Sequence, residues 1–194
     1  MVDSKVRVMS SDEFAAIDTI VLAFAADPMA RWSWPGQTQF LRALPRLSRA
    51  FGGEAFAAGS AYCVGDYVGV ALWLPPGIEP DEERLGEVFQ STVEPSRLES
   101  ISAIVGEMAK YHPQEPHWYL PLIGVDPMHQ GRGHGDTLMT FALERCDRDR
   151  VPAYLESSNP RNMSLYRRHG FVPLGEIQVG SSPPIVPMLR RTAL

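Results

Sequence analysis

The chain has 194 residues, enough for one domain with a full core and short for two. With 44% hydrophobic and 21% charged residues it is excluded from the disordered class. Its 18 Lys and Arg against 23 Asp and Glu give a formal charge of −5, which argues against nucleic-acid binding through bulk positive charge.

Lys5–Met9 alternates polar and apolar residues and predicts a first strand. Ser10 with Glu13 forms a capping-box signature, followed by Phe14, Ile17, Val21 and Phe24 at helical spacing. That helix is expected to stop near Asp27-Pro28. After an aromatic stretch, Arg31 to Gly36, a helix is predicted over Gln37–Ala50. Ala61–Val64 and Tyr67–Leu74 read as strands joined by a Gly65-Asp66 hairpin turn. Asp81–Lys110 reads as two helices broken near Glu94-Pro95. His117–Val125 is a further strand, which runs into a glycine-rich turn and then a helix marked by Leu138, Phe141, Ala142 and Cys146. Pro152–Glu156 is a short strand and Asn159–Arg168 a short helix, capped by Gly170. Strands are expected from Phe171 and over Ile185–Leu189. An early hairpin followed by alternating strands and helices predicts an α/β fold with a mixed sheet.

The cysteines, Cys63 and Cys146, cannot build a disulfide framework and stand in no metal-ligand spacing. His129 and His134 likewise lack a partner at ligand spacing, so no metal site is expected. The first residues lack the apolar core of a signal peptide, and the longest apolar run, Val68–Pro76, is too short to span a bilayer. A cytoplasmic protein without membrane contact is expected.

The segment Val125-Asp126-Pro127-Met128-His129-Gln130-Gly131-Arg132-Gly133-His134-Gly135 carries the most information. Glycines let backbone approach a ligand, and amides at a helix N-terminus suit phosphate. A P-loop would need a Lys-Ser/Thr pair, which is missing. A dinucleotide fingerprint would place its third glycine at Asp136. What remains is Gln130-x-x-Gly133-x-Gly135.

This pattern resembles motif A of the GCN5-related N-acetyltransferase (GNAT) superfamily, Q/R-x-x-G-x-G/A. Downstream, Leu155-Glu156-Ser157-Ser158-Asn159-Pro160-Arg161-Asn162, followed by Leu165-Tyr166-Arg167-Arg168-His169-Gly170-Phe171, is similar to motif B. The stretch from Trp118 to Phe171 looks closest to the puromycin N-acetyltransferase-like branch. The resemblance implies one domain over residues 1–194, with an acceptor-side half to about residue 115 and an acetyl-CoA-binding half after it. It implies a mixed, mostly antiparallel central sheet, splayed between its middle strands and flanked by helices.

It also implies acetyl-CoA as cofactor. Its pyrophosphate would rest on amides of Gln130, Gly131, Arg132, Gly133, His134 and Gly135, with Arg132 adding a cation. Its pantetheine would pair with the main chain of Ile123, Gly124 and Val125, on a strand bulged just before the turn. An amide near Val125 would face the thioester oxygen, a kind of donor worth about 3–4 kcal/mol in other enzymes. Asn159 matches the motif B asparagine, with helix capping as the alternative, and Ser164 is a further cofactor contact.

Transfer from a thioester to an amine needs a base, an oxyanion donor and an acid. Tyr166 matches the family's tyrosine that protonates the departing sulfur, and a phenol with an ordinary pKa of about 10 is protonated at neutral pH. Glu156 is the candidate base, or else an anchor for the substrate ammonium. Where many relatives carry Glu or His on the strand before motif A, this chain has Tyr119 and Pro121, and Tyr119 is expected to position a water. His112 and His117 read as structural or solvent-facing. Trp32, Trp34 and Trp73 are expected around the acceptor, where aromatic walls with a carboxylate such as Asp27 would suit a cationic, partly apolar amine.

The expectation is an acetyl-CoA-dependent acetyltransferase acting on a primary amine of a small molecule, by direct attack in a ternary complex. The alternatives are a non-catalytic acetyl-CoA sensor on the same fold and a protein or peptide N-acetyltransferase. Many relatives pair as homodimers, so a homodimer is a possible assembly.

Overall fold

The computed structural model describes residues 6–9 and 12–192. Strand β1 covers Val6–Val8, so Lys5 and the Ser10 half of the capping-box signature lie outside the described residues. Helix α1 (Glu13–Ala23) has Asp12 at its N-cap without a side-chain cap bond. Asp12 instead accepts the Tyr67 hydroxyl at 2.6 Å, and Glu13 accepts Arg49 Nε at 2.7 Å.

Helix α1 already stops at Ala23, and the Asp27-Pro28 pair starts a helix rather than ending one. Asp27 Oδ1 accepts the Ala30 amide at 2.9 Å, and Pro28 occupies the first turn of α2 (Pro28–Ser33). The first half of the aromatic stretch, Arg31 to Ser33, is thereby wound into helix, and Trp34 ends it. Helices α3 (Gln37–Gly52) and α4 (Glu54–Ala57) follow. Strands β2 (Ala61–Val64) and β3 (Gly69–Leu74) are buried along their whole length, which is why both read as apolar runs. Their turn is wider than the two residues expected, because Tyr67 adopts a left-handed φ of 54°. Helices α5 (Glu82–Thr92) and α6 (Pro95–Tyr111) break where Pro95 begins the second.

The rest comprises β4 (Trp118–Val125), α7 (His134–Asp149), β5 (Ala153–Ser157), α8 (Met163–Arg168), β6 (Val172–Pro173) and β7 (Val186–Arg190). The seven-stranded sheet has the order β1-β2-β3-β4-β5-β7-β6. All its pairings are antiparallel except β4 with β5. That parallel pair is held only at Trp118↔Ala153 and Tyr119↔Tyr154, and beyond it the strands part.

Between β3 and β4 the register runs from Leu72↔Leu122 to Leu74↔Tyr119, so β4 carries an extra residue at Leu120-Pro121. The bulge lies three residues before the stretch expected to face the pantetheine. It reverses the side-chain alternation, so that Tyr119 and Leu122 enter the same core layer.

The sheet is covered on both faces. On one, Trp118, Leu120, Leu155 and Met188 pack against Leu138, Ala142 and Cys146 of α7 and Tyr166 of α8. On the other, Leu72, Tyr119, Leu122 and Tyr154 pack against Ala16 and Ile20 of α1 and Ala55 of α4. Helix α1 lies so near β4 that a Cβ at Gly124 would stand 2.6 Å from Ala23 Cβ. A third cluster joins Trp34, which follows α2, to Phe40, Leu44, Val88 and Ile101 from α3, α5 and α6. It builds the wall that faces the gap in the sheet.

Candidate active site

The gap begins where β4 leaves β5. The Asp126 amide donates to Val68 O at 2.9 Å, on the β3 side. Main-chain groups alternate in direction along an antiparallel strand, so those of Val125 and Ile123 point the other way, into the gap. Gln130 Nε2 donates to Val125 O at 3.1 Å and folds the turn back on the strand.

Gly131 and Gly133 adopt φ of 75° and 86°, and a Cβ at either would meet nothing within 4 Å. Glycine is thus required there by backbone conformation and not by crowding. At Gly135 a Cβ would approach Leu165 Cδ2 to 3.3 Å, so this glycine seats α8 against α7. The first amides of α7, at His134, Gly135 and Asp136, have no acceptor within the helix and lie at its positive end. Arg132 is exposed on the turn. A free strand edge, an open left-handed turn and helix N-terminal amides match the chemistry of acetyl-CoA, a thioester joined by an amide-bearing arm to a diphosphate.

Beside this edge lies a cavity of about 210 Å³. Its wall is largely apolar, with Phe24, Trp34, Phe51, Phe89, Ile104 and Met108. Its polar groups come from Asp27, Ser33, Glu156, Ser158, Asn162 and Tyr166. Asp27 is buried: Oδ1 caps α2, Oδ2 accepts Ser158 Oγ at 2.7 Å, and burial pushes its carboxyl above the usual aspartate range. Tyr166 is 5% exposed. Burial, then the Asp27 charge, pushes its phenol well above the ordinary range, so the proton stays on Oη at neutral pH.

Glu156 is held from below. Its Oε2 accepts the Tyr119 hydroxyl at 2.8 Å, while Oε1 has no hydrogen-bond partner among the described residues. Burial and the Glu156 charge push the Tyr119 phenol well up, which keeps it a donor.

The predicted residues fall into groups. Glu156, Tyr166, Ile123 and Trp34 line the cavity, and Tyr119 reaches it through Glu156. Trp73 does not come to it: the side chain is fully buried in the core beneath α7. Nor does Trp32, which donates to Ser181 Oγ at 3.3 Å and lies under Arg97. Asn159 Oδ1 accepts the Arg161 amide at 3.1 Å and so caps the turn before α8, and Asn162 is the asparagine that lines the cavity. Ser164 is exposed on α8. Sequence reasoning placed Ser158 and Asn162 in motif B but gave them no role, and it set aside His112, whose Nδ1 stands 3.9 Å from Glu156 Oε1. Neighbouring motif B residues were a signal for the first two; the third, 44 positions from Glu156, had none.

No group of His, Cys, Asp and Glu suited to a metal ion occurs among the described residues, and none of their helices is long and apolar enough to cross a membrane.

Comparison with known proteins gives a consistent result. Residues 28–171 match the acetyltransferase (GNAT) family. An uncharacterized N-acetyltransferase of Schizosaccharomyces pombe is 26% identical over 181 residues, covering 86% of this chain and 73% of that protein. A Corynebacterium glutamicum structure, described as histone acetyltransferase HPA2 and related acetyltransferase, superposes with a TM-score of 0.68 at 30% identity, covering 100% of this chain and 98% of the other. Arylalkylamine N-acetyltransferase 2 from Aedes aegypti shares the fold, with a TM-score of 0.65 at 13% identity over 97% of this chain and 99% of the other.

Proposed function

The chain belongs to the GNAT family and is an acetyl-CoA-dependent acetyltransferase, and on that premise we propose that it acetylates the primary amine of a small molecule with an apolar body, by direct attack in a ternary complex. The observation that carries this reading is the cavity, whose aromatic and aliphatic wall bears two acidic groups, Asp27 and Glu156, and the Tyr166 phenol. An ammonium sits well between such carboxylates, and an alkyl or aryl body fills the rest. A cavity of about 210 Å³ suits a compact amine rather than a folded protein surface.

Acetyl-CoA would be held by the Ile123 and Val125 main chain and by the turn from Gln130 to Gly135, and it supplies an activated acetyl thioester. Glu156 takes a proton from the acceptor ammonium and so frees the attacking lone pair. Tyr119 orients the carboxylate. Tyr166 Oη holds the proton that the departing sulfur needs. Neither cysteine offers a nucleophile for an acetyl-enzyme, since both are buried and burial pushes the Cys146 thiol up to about 12.

The test is thiol release from acetyl-CoA across a panel of arylalkyl and alkyl amines, polyamines, aminoglycosides and peptides, with Tyr166→Phe beside the unaltered protein. Apolar primary amines are expected to turn over best, with kcat reduced about 10²-fold in the variant. Turnover confined to peptides, or no turnover with any amine, would overturn the proposal.

A further inference from the structure

The reaction of an ammonium with a thioester liberates one proton overall: two leave the nitrogen and one of them stays on the thiol. In an apolar cavity that remaining proton needs a way out. Glu156 lines the cavity, and its side chain is only 5% exposed. Behind it, away from the cavity, stands a pair of histidines.

Their hydrogen bonds fix which nitrogen carries hydrogen. His117 Nδ1 lies 2.9 Å from the Glu115 carbonyl oxygen. A carbonyl only accepts, so Nδ1 carries the hydrogen and Nε2 of the neutral ring offers a lone pair. That lone pair faces His112 Nε2 at 2.9 Å, so His112 donates from Nε2. His112 Nδ1 is then left as a lone pair, and it faces the unpartnered Glu156 Oε1 at 3.9 Å. Edge-on contacts with Tyr119 and Tyr154, each 4.9 Å between ring centroids, hold the His112 ring under the last rung joining β4 to β5.

We infer that His112 relays to solvent the proton that Glu156 takes from the acceptor, and that His117 is the positioning residue that sets the required tautomer. The inference rests on the amine-acetylation reading above. The balance is simple. The ammonium proton passes to Glu156 and the nitrogen keeps its electron pair. The protonated Glu156 gives that proton to His112 Nδ1 and returns to carboxylate. The His112 imidazolium, still bonded through Nε2–H to His117, releases the Nδ1 proton to water. Its side chain is 24% exposed and lines no part of the acceptor cavity. The 3.9 Å separation closes with a small ring movement, as catalytic contacts commonly tighten when substrate binds.

The groups facing the pair fit this role. Glu156, Tyr119 and Tyr154 lie on the strand side, Tyr111 precedes His112, and Glu79 and Glu115 lie toward His117. Burial holds the His117 ring below the ordinary histidine range, so it stays neutral and keeps its Nε2 lone pair. His117 and Tyr119 also line a second, polar cavity with Glu79 and Gln114, a place where water can approach from outside the acceptor site.

The experiment uses the unaltered protein with its best amine, and the variants His112→Ala, His112→Asn and His117→Phe. Both His112 variants are expected to lose about tenfold or more in kcat while KM for amine and acetyl-CoA stays within about twofold. Added imidazole should restore turnover in His112→Ala and not in Glu156→Gln. His117→Phe should retain KM and change the pH profile of kcat. Unchanged kcat in both His112 variants, or a loss that imidazole leaves untouched, overturns the relay. Ring ¹⁵N spectra of the protein without substrate give a readout independent of turnover. Neutral His112 must carry hydrogen on Nε2 and His117 on Nδ1, and the opposite assignment at His112 overturns the relay even if the acetylation reading stands. Absence of transfer by the unaltered protein would count against that reading alone.

Discussion

Tyr119 and Glu156 touch through a single hydrogen bond of 2.8 Å, and they do so from the two strands that separate just above them. The bond is available because the bulge at Leu120-Pro121 ends the regular part of β4 after Tyr119. A hydrogen bond to a carboxylate contributes about 1.5–3 kcal/mol when buried. Tyr119→Phe is therefore expected to lower kcat about tenfold, with little change in KM for either substrate. Steady-state kinetics checks this; a KM effect alone would make Tyr119 a binding residue.

Asp27 offers a separation of charge from fold. Its carboxyl is pushed up by burial, so the folded state holds this proton at a pH where the unfolded chain has lost it. Stability from this group is therefore full below the ordinary aspartate range and declines as pH rises through the folded value. Asp27→Asn keeps an oxygen for the Ala30 amide, places an NH2 that donates to Ser158 Oγ where Oδ2 accepted from it, and removes that decline. The variant is expected to melt at or above the unaltered protein near neutral pH, yet to show a KM for cationic amines raised about tenfold. Calorimetry and kinetics on the same preparation check both halves.

At alkaline pH the buried phenols dominate. Tyr119, Tyr154 and Tyr166 all ionise well above the ordinary tyrosine range because of burial. Above about pH 10 the unfolded chain loses these protons while the folded chain keeps them, so stability falls as pH rises. Each such group contributes a slope of about 1.4 kcal/mol per pH unit. Urea midpoints between pH 9 and 11 should drop steeply, and Tyr166→Phe should remove one group's share. A flat profile would contradict the burial of these hydroxyls.

Gly133→Ala tests the turn. With φ at 86° and open space around the missing Cβ, the substitution costs about 1–2 kcal/mol of backbone strain and makes no clash. Gly180→Ala, at φ 57° with equally open space and outside both cavities, is the control for strain alone. Both variants are expected to lose similar stability, and only Gly133→Ala should raise KM for acetyl-CoA. Equal KM values in the two would remove the turn from coenzyme binding.

Much of this architecture was legible because it rests on local chemistry. Pro95 at the start of α6 marks the α5–α6 break, and the glycine spacing after β4 marks the turn. Elsewhere, local signals had two meanings. Asp27-Pro28 signals a stop and equally a capped start, and only the Asp27 contact with the Ala30 amide decides. The hairpin turn widened because Tyr67 is tied to Asp12 and, through its carbonyl, to Thr19 Oγ1 at 2.6 Å, contacts that no short window contains. The site divides in the same way. Tyr166 and Glu156 lie within a recognisable motif. Trp73 and Trp32 were expected beside the acceptor from residue type and from the segments that shape it in the family, and packing decided where they went. His112 meets Glu156 only because α6 ends at the parting of β4 and β5.

That parting has a consequence for how the protein keeps itself apart from its own kind. Unsatisfied strand edges are usually a hazard, since they invite a foreign strand to zip on and seed fibrils. Here the bare stretch from Leu122 to Val125 lies inside the sheet, roofed by α1 on one face and by α7 on the other, and closed at its base by the β4–β5 rungs. A whole polypeptide strand with side chains on both faces would collide with those roofs, whereas an unbranched arm could slip between them.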